Sequence, residues 1–165
     1  FDPVAPRYVE HDPPDADPVA LVRAHAEGKA LSVHRAGGVT LGVDTTVHLD
    51  GRVYAKAADA DAARRMLSEL SGRTHEVVSG VCLVTDDGVA VEHAETRVAF
   101  RDLSDRDVDA YVESGEWQGR AGAYAIQGLG GRLVRGLEGD YLNVVGLPGA
   151  LLLDLLERRA PLLLG

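Results

Sequence analysis

The run Leu41-Gly42-Val43-Asp44-Thr45-Thr46-Val47-His48-Leu49-Asp50-Gly51-Arg52-Val53-Tyr54 decides the fold. Asp50-Gly51 is the strongest two-residue hairpin signal, because a tight primed turn needs positive φ at both central residues. Residues 45–49 and 52–54 flank it as two short strands, and residues 39–43 read as a buried strand. On the N-terminal side, Asp17 is placed to cap a helix with Pro18 in its first position. That helix takes Ala20, Leu21, Ala24, Leu31 and Val33 as apolar positions and runs to about Arg35, before Gly37-Gly38. Residues 1–9 carry two prolines and suit an extended edge segment, and residues 11–18 form a loop dense in proline and aspartate. On the C-terminal side, Asp59 opens a helix closed by Ser71-Gly72. Residues 75–85 and 89–100 pair as a long hairpin through Asp86-Asp87-Gly88. Ser104 and Asp107 resemble a capping box for a helix to about Ser114. A glycine-rich connector over 115–131, a short strand over 132–137 and a last helix starting at Leu147-Pro148 complete the chain. Hairpins and helix crossovers alternate, which predicts one α/β domain over 1–165, a mixed twisted sheet with flanking helices.

The chain has 165 residues, 45% hydrophobic and 26% charged. That composition fits a globular domain and excludes disorder. Its net charge of −9 opposes binding to a polyphosphate backbone, so duplex nucleic acid is not an expected partner. Cys82, the single cysteine, excludes a disulfide framework and a cysteine-rich zinc site. In the apolar run Val81-Cys82-Leu83-Val84 it reads as a buried inert thiol. The apolar stretch 147–156 is broken by Pro148 and Asp154 and is too short to span a bilayer. No secretory signal is visible, so a cytoplasmic protein is expected. The chain opens on Phe1 rather than Met, so it is expected to be less than the whole translation product.

Asp44 stands where a strand is expected to leave the core, a place suited to holding Mg²⁺ or serving as a general base. Capping a turn is the alternative. The only lysines are Lys29 and Lys56. Arginine supplies every other positive side chain, so the two lysines stand out as point charges for phosphate, against the alternative of simple solvation. Gly128-Leu129-Gly130-Gly131-Arg132-Leu133 reads as turn glycines, since a dinucleotide fingerprint needs glycine where Leu133 stands. The six histidines show no metal-ligand spacing. His75 is expected to be a hydrogen-bonded structural residue. Trp117 reads as a core or interface anchor, with base stacking as the alternative. The residues alone imply a domain that binds a phosphorylated ligand.

A resemblance sharpens this. The segment 41–47 with Leu49-Asp50-Gly51 resembles the Maf family of nucleoside triphosphate pyrophosphatases, also called septum formation inhibitor homologues. Further blocks follow in register at 65–67, 70–77, 96–100, 111–117, 119–128, 139–141 and 143–148. The resemblance implies two lobes around a cleft, a homodimer and a divalent cation, Mg²⁺ or Mn²⁺. It implies hydrolysis of a nucleoside triphosphate between its α- and β-phosphates. Asp44 matches the family's active-site aspartate and Glu10 a family glutamate, which makes both candidates for catalysis and for holding metal. Lys29 and Lys56 match family lysines. Arg120 stands where the late block has lysine, and Thr45 and Gln127 match positions tied to base selection. The Tyr-x-Ile-Gln-Gly form at 124–128 resembles the branch acting on dTTP and UTP. The chain departs from the pattern in four places. No Ser-x-Ser-Pro-Arg-Arg loop precedes the helix, so the family's N-terminal strand and phosphate loop are expected to be missing. Lys56 lies in Ala55-Lys56-Ala57 rather than Gly-Lys-Pro. Arg120 replaces lysine, and Thr46 and His48 replace apolar residues. These departures leave a catalytically impaired nucleotide-binding or regulatory relative as the alternative.

Overall fold

The computed structural model describes residues 2–13 and 16–164. Phe1, Pro14 and Asp15, which the edge-segment and loop expectations include, lie outside the described residues. Helix α1 spans Pro18–Val33, strand β1 Thr40–Leu49 and β2 Arg52–Tyr54. Helix α2 covers Ala60–Leu70, β3 Thr74–Thr85, β4 Gly88–Phe100 and α3 Asp105–Glu113. After the connector come β5 Val134–Glu138, α4 Tyr141–Val145 and α5 Gly149–Arg159.

Local chemistry sets these boundaries. The Asp17 carboxylate accepts from the Ala20 amide and Asp59 from that of Ala62, each satisfying an otherwise unpaired helix donor. Ser104 and Asp107 close a reciprocal capping box. Asp50 and Gly51 both take positive φ, 53° and 80°, as the hairpin turn demands.

The strand order is β2-β1-β3-β4-β5. All pairings among the described residues are antiparallel, so the α/β class with flanking helices holds but the sheet is not mixed. The cause is the hairpin ahead of the α2 crossover. It reverses the chain, so β3 returns parallel to β2 with β1 between them. A second difference concerns Asp44. The expected strands at 39–43 and 45–49 are one ten-residue strand, so Asp44 lies in its middle rather than at an exit from the core. The first half of β1 is also less buried than expected, with Leu41 40% exposed. β2 pairs only with Val47, His48 and Leu49, and among the described residues no strand lies beside the outer edge of 40–46.

Helix α1 covers one face of β1 and β3, where Ala26 and Ala30 pack on Cys82 and Val84. Gly42 and Gly80 permit that approach, since a Cβ at either would collide with the backbone oxygen of Ala26 or Val22. Leu155 of α5 packs on Val81 and Leu83 from the other face. The largest core lies at one end of the sheet. There α2, α3 and the connector bury Leu67, Leu70, Phe100, Tyr111 and Trp117 against Val77 and Val98. Trp117 is a core anchor whose Nε1 donates to Val112 O at 3.0 Å. Cys82 is fully buried, and burial pushes its thiol up to about 11, consistent with the inert role expected. Residues 2–9 form no strand. They run along α1 instead, where Arg7 N donates to Ser32 Oγ at 3.1 Å and Gly28 makes room for the Tyr8 ring.

Candidate active site

Three α1-side groups converge on the middle of β1. Helical spacing of four puts His25 and Lys29 on one face of α1. The glycine seat lowers that face onto Asp44. Lys29 Nζ donates to Asp44 Oδ1 at 2.5 Å and contacts Glu10 Oε1 at 2.6 Å. Burial opposes the Lys29 charge, but hydrogen bonds to Asp44 and Glu10 outweigh it and raise the ammonium above its ordinary value. The same ammonium is the chief cause that holds Glu10 below the usual carboxylate range, with a smaller contribution from the Lys56 charge. His25 is almost fully buried, 3% exposed. Its Nδ1 stands 3.3 Å from Asp44 Oδ2. Its Nε2 faces His11 O and Asp12 Oδ1, each at 3.4 Å.

Strand alternation sends Thr45 to the opposite face. Thr45 Oγ1 lies 2.7 Å from Ser79 Oγ and on the wall of a cavity of about 130 Å³. Lys56, Arg120, Tyr124, Gln127 and Gly146 line it too. The floor is held from behind, because Tyr124 Oη meets His75 Nε2 at 2.9 Å. His75 is thus the hydrogen-bonded structural residue expected. Arg120 and Gln127 also border an adjoining depression of about 370 Å³. Lys56 pairs with Ala121 in an isolated antiparallel bridge, which ties the connector to the chain after β2. That bridge braces Lys56 although Ala55-Lys56-Ala57 lacks the proline of the family pattern.

The seven residues singled out from the sequence therefore form two groups. Glu10, Lys29 and Asp44 cluster on the α1 side. Thr45, Lys56, Arg120 and Gln127 line the cavity on the other side of β1. The groups adjoin across the strand edge that β2 leaves open, where the Lys56 charge acts on Glu10. His25 belongs to the first group and sequence reasoning passed over it. Its signal was the four-residue spacing to Lys29, not a spacing to another histidine. Glu10, His25 and Asp44 each offer one donor atom, all within 4.8 Å of one another. Two carboxylates and an imidazole suit a divalent cation.

An α/β domain thus carries an acid–ammonium–imidazole cluster with the donor set of a divalent-cation site beside a polar cavity lined by Lys56 and Arg120. Residues 1–159 match the family described as Maf-like protein. A dTTP/UTP pyrophosphatase of Pyrococcus furiosus is 43% identical over 149 residues, covering 90% of this chain and 76% of that protein. One from Symbiobacterium thermophilum is 46% identical over 145 residues, covering 87% and 75%. One from Sphingopyxis alaskensis is 54% identical over 125 residues, covering 74% and 66%. The chain belongs to the Maf-like family. Among its described residues no helix is long and apolar enough to cross a membrane.

Proposed function

We propose that the protein is a nucleoside triphosphate pyrophosphatase that hydrolyses dTTP and UTP to the monophosphate and pyrophosphate. The observation that carries this is the adjacency of the Glu10–Lys29–Asp44 cluster to the cavity lined by Thr45, Lys56, Arg120 and Gln127. The similarity to dTTP/UTP pyrophosphatases supports it and favours a working enzyme over an impaired relative.

In this reading the base enters the cavity. Gln127 has one amide donor face and one acceptor, which complement a pyrimidine edge, and Thr45 lines the same wall. Lys56 and Arg120 hold phosphate oxygens at the strand edge, and the Lys29 ammonium, kept on its carboxylate partners, adds positive charge beside them. Glu10 and Asp44 hold a divalent cation, Mg²⁺ or Mn²⁺. That cation, when bound, offsets phosphate charge and polarises the bond under attack. Asp44 orients a water and accepts its proton as the water oxygen bonds to phosphorus. The phosphoanhydride bond between the α- and β-phosphates breaks and pyrophosphate leaves.

Such a nucleotide pool is cytoplasmic, and this reading puts the protein there. It also takes the protein as a homodimer. Leu142, Leu147, Leu153 and Leu162 form exposed apolar surface around α4 and α5, more than isolated exposure requires. Light scattering on the purified chain should return twice the monomer mass.

The deciding experiment is pyrophosphate release with Mg²⁺ from dTTP, UTP, CTP and 7-methyl-GTP. Release from dTTP and UTP, lowered by about a hundredfold or more in Asp44→Asn, is the expected result. No release from any of the four overturns the reading. Release undiminished in Asp44→Asn overturns the site.

A further inference from the structure

We infer that His25 is the third protein ligand of the divalent cation, and that it turns the site toward Mn²⁺ over Mg²⁺. The inference rests on the cation reading above.

The argument is one of donors and acceptors. His25 Nε2 faces two oxygens, the His11 carbonyl and the Asp12 carboxylate, both at 3.4 Å. Neither oxygen carries a proton to give, so Nε2 carries the hydrogen. In the neutral ring Nδ1 then presents a bare lone pair. That lone pair looks at Asp44 Oδ2 across 3.3 Å. Two acceptors facing each other inside the fold repel, and the ring is too buried for water to separate them freely. A cation ligated by both removes the repulsion.

The surroundings favour that arrangement. Lys29 engages Asp44 Oδ1, which leaves Oδ2 and Nδ1 as the facing pair. The Tyr8 ring stands edge-on to the imidazole with centroids 5.7 Å apart, which restricts its rotation. An imidazole that donates its distal N–H to a carbonyl or carboxylate while its other nitrogen binds metal is the usual outer-shell support of a histidine ligand. Glu10 supplies the third donor within the same 4.8 Å group.

Ligand chemistry then sets the preference. Mg²⁺ favours oxygen donors and retains its waters, whereas an imidazole nitrogen strengthens binding of Mn²⁺ and later first-row ions. Two carboxylates alone would discriminate little between the two ions. With His25 added, Mn²⁺ should bind more tightly than Mg²⁺.

The test uses the full chain and reads the metal rather than turnover. Mn²⁺ is titrated in and followed by EPR, Mg²⁺ is used as competitor, and pulsed EPR records nitrogen coupling to bound Mn²⁺. The expected result is ¹⁴N coupling in the wild type that disappears in His25→Gln, with most of the Mn²⁺ preference lost. Bound Mn²⁺ without nitrogen coupling in the wild type overturns the inference, and this needs no variant to fold. Coupling or preference unchanged in a folded His25→Gln overturns it equally. No Mn²⁺ binding by the wild type, or full binding by Asp44→Asn, overturns the Glu10–Asp44 cation site itself. The two failures are therefore distinct.

Discussion

Asp44 is held by an ammonium on one oxygen and faces an imidazole with the other. A carboxylate so placed is fixed in orientation, as a base that must point at water requires. Asp44→Asn keeps the shape and removes the basicity. Pyrophosphate release from dTTP should fall by about 10²- to 10⁴-fold, the usual share of general-base catalysis, with the melting temperature little changed. Lys29→Met tests the other partner. Lys29 is the chief reason Glu10 lies below its ordinary 4.5, so carboxyl NMR of the variant should show Glu10 titrating higher. His75 makes a separate prediction. Burial, aided by the charge of His48, lowers it from 6.5 to about 4. As pH falls through 6.5 the unfolded chain takes up a proton that the native state refuses until about pH 4. Stability is therefore lost across that window, by up to about 1.4 kcal/mol per pH unit. His75→Gln should flatten this part of the urea-midpoint profile against pH. A wild-type profile already flat between pH 6.5 and 4 would show that His75 titrates alike in both states.

At the scale of elements, the seat of α1 on β1 and β3 links packing to chemistry. Gly80→Ala would drive a Cβ into the Val22 carbonyl. The helix must shift, taking His25 and Lys29 away from Asp44. The expected cost is about 1–3 kcal/mol, typical of overpacking a tight site, with Mn²⁺ affinity and pyrophosphate release falling together. Gly136→Ala on β5, where a Cβ meets nothing within 4 Å, is the control and should alter neither. Comparing urea midpoints and Mn²⁺ titrations of the two variants checks this. The helices and hairpins were legible because their signals are local. Asp17, Asp59, Ser104 and Asp50-Gly51 each settle a boundary within three residues. The five-residue α4 was not, since it has no apolar period of its own. Asn143 pins it by donating to Val77 O and Thr96 Oγ1, contacts 66 and 47 residues away in sequence. The antiparallel order was hidden for a similar reason, because it depends on which side of β1 the chain returns to after α2.

For the whole molecule, β1 acts as a partition. Its alternation sends Asp44 to the acid cluster and Thr45 to the cavity, and in the proposed reading adjacent residues serve different parts of one substrate. Motif matches named Glu10, Lys29, Asp44, Thr45, Lys56, Arg120 and Gln127 without their division into two faces. His25 escaped because its meaning arises only when a helix face meets a strand carboxylate. The partition has a kinetic consequence. Gln127 and Asp44 share no partner among the hydrogen bonds and ion pairs of the described residues, so their contributions should be separable. In the proposed reading, Gln127→Ala removes a side chain that binds the base in ground state and transition state alike. KM for dTTP and UTP should rise by roughly tenfold, about 1.4 kcal/mol, with kcat little changed. Discrimination between UTP and CTP should shrink, because a site that pairs with a base edge rejects the edge it cannot match. Asp44→Asn should lower kcat and leave the UTP-to-CTP ratio of kcat/KM intact. In the double variant the two losses in kcat/KM should multiply. A product far from multiplicative, measured by steady-state pyrophosphate release, would mean that base recognition and the reacting phosphate are coupled across β1, and that the strand is a lever between the two faces instead of a wall.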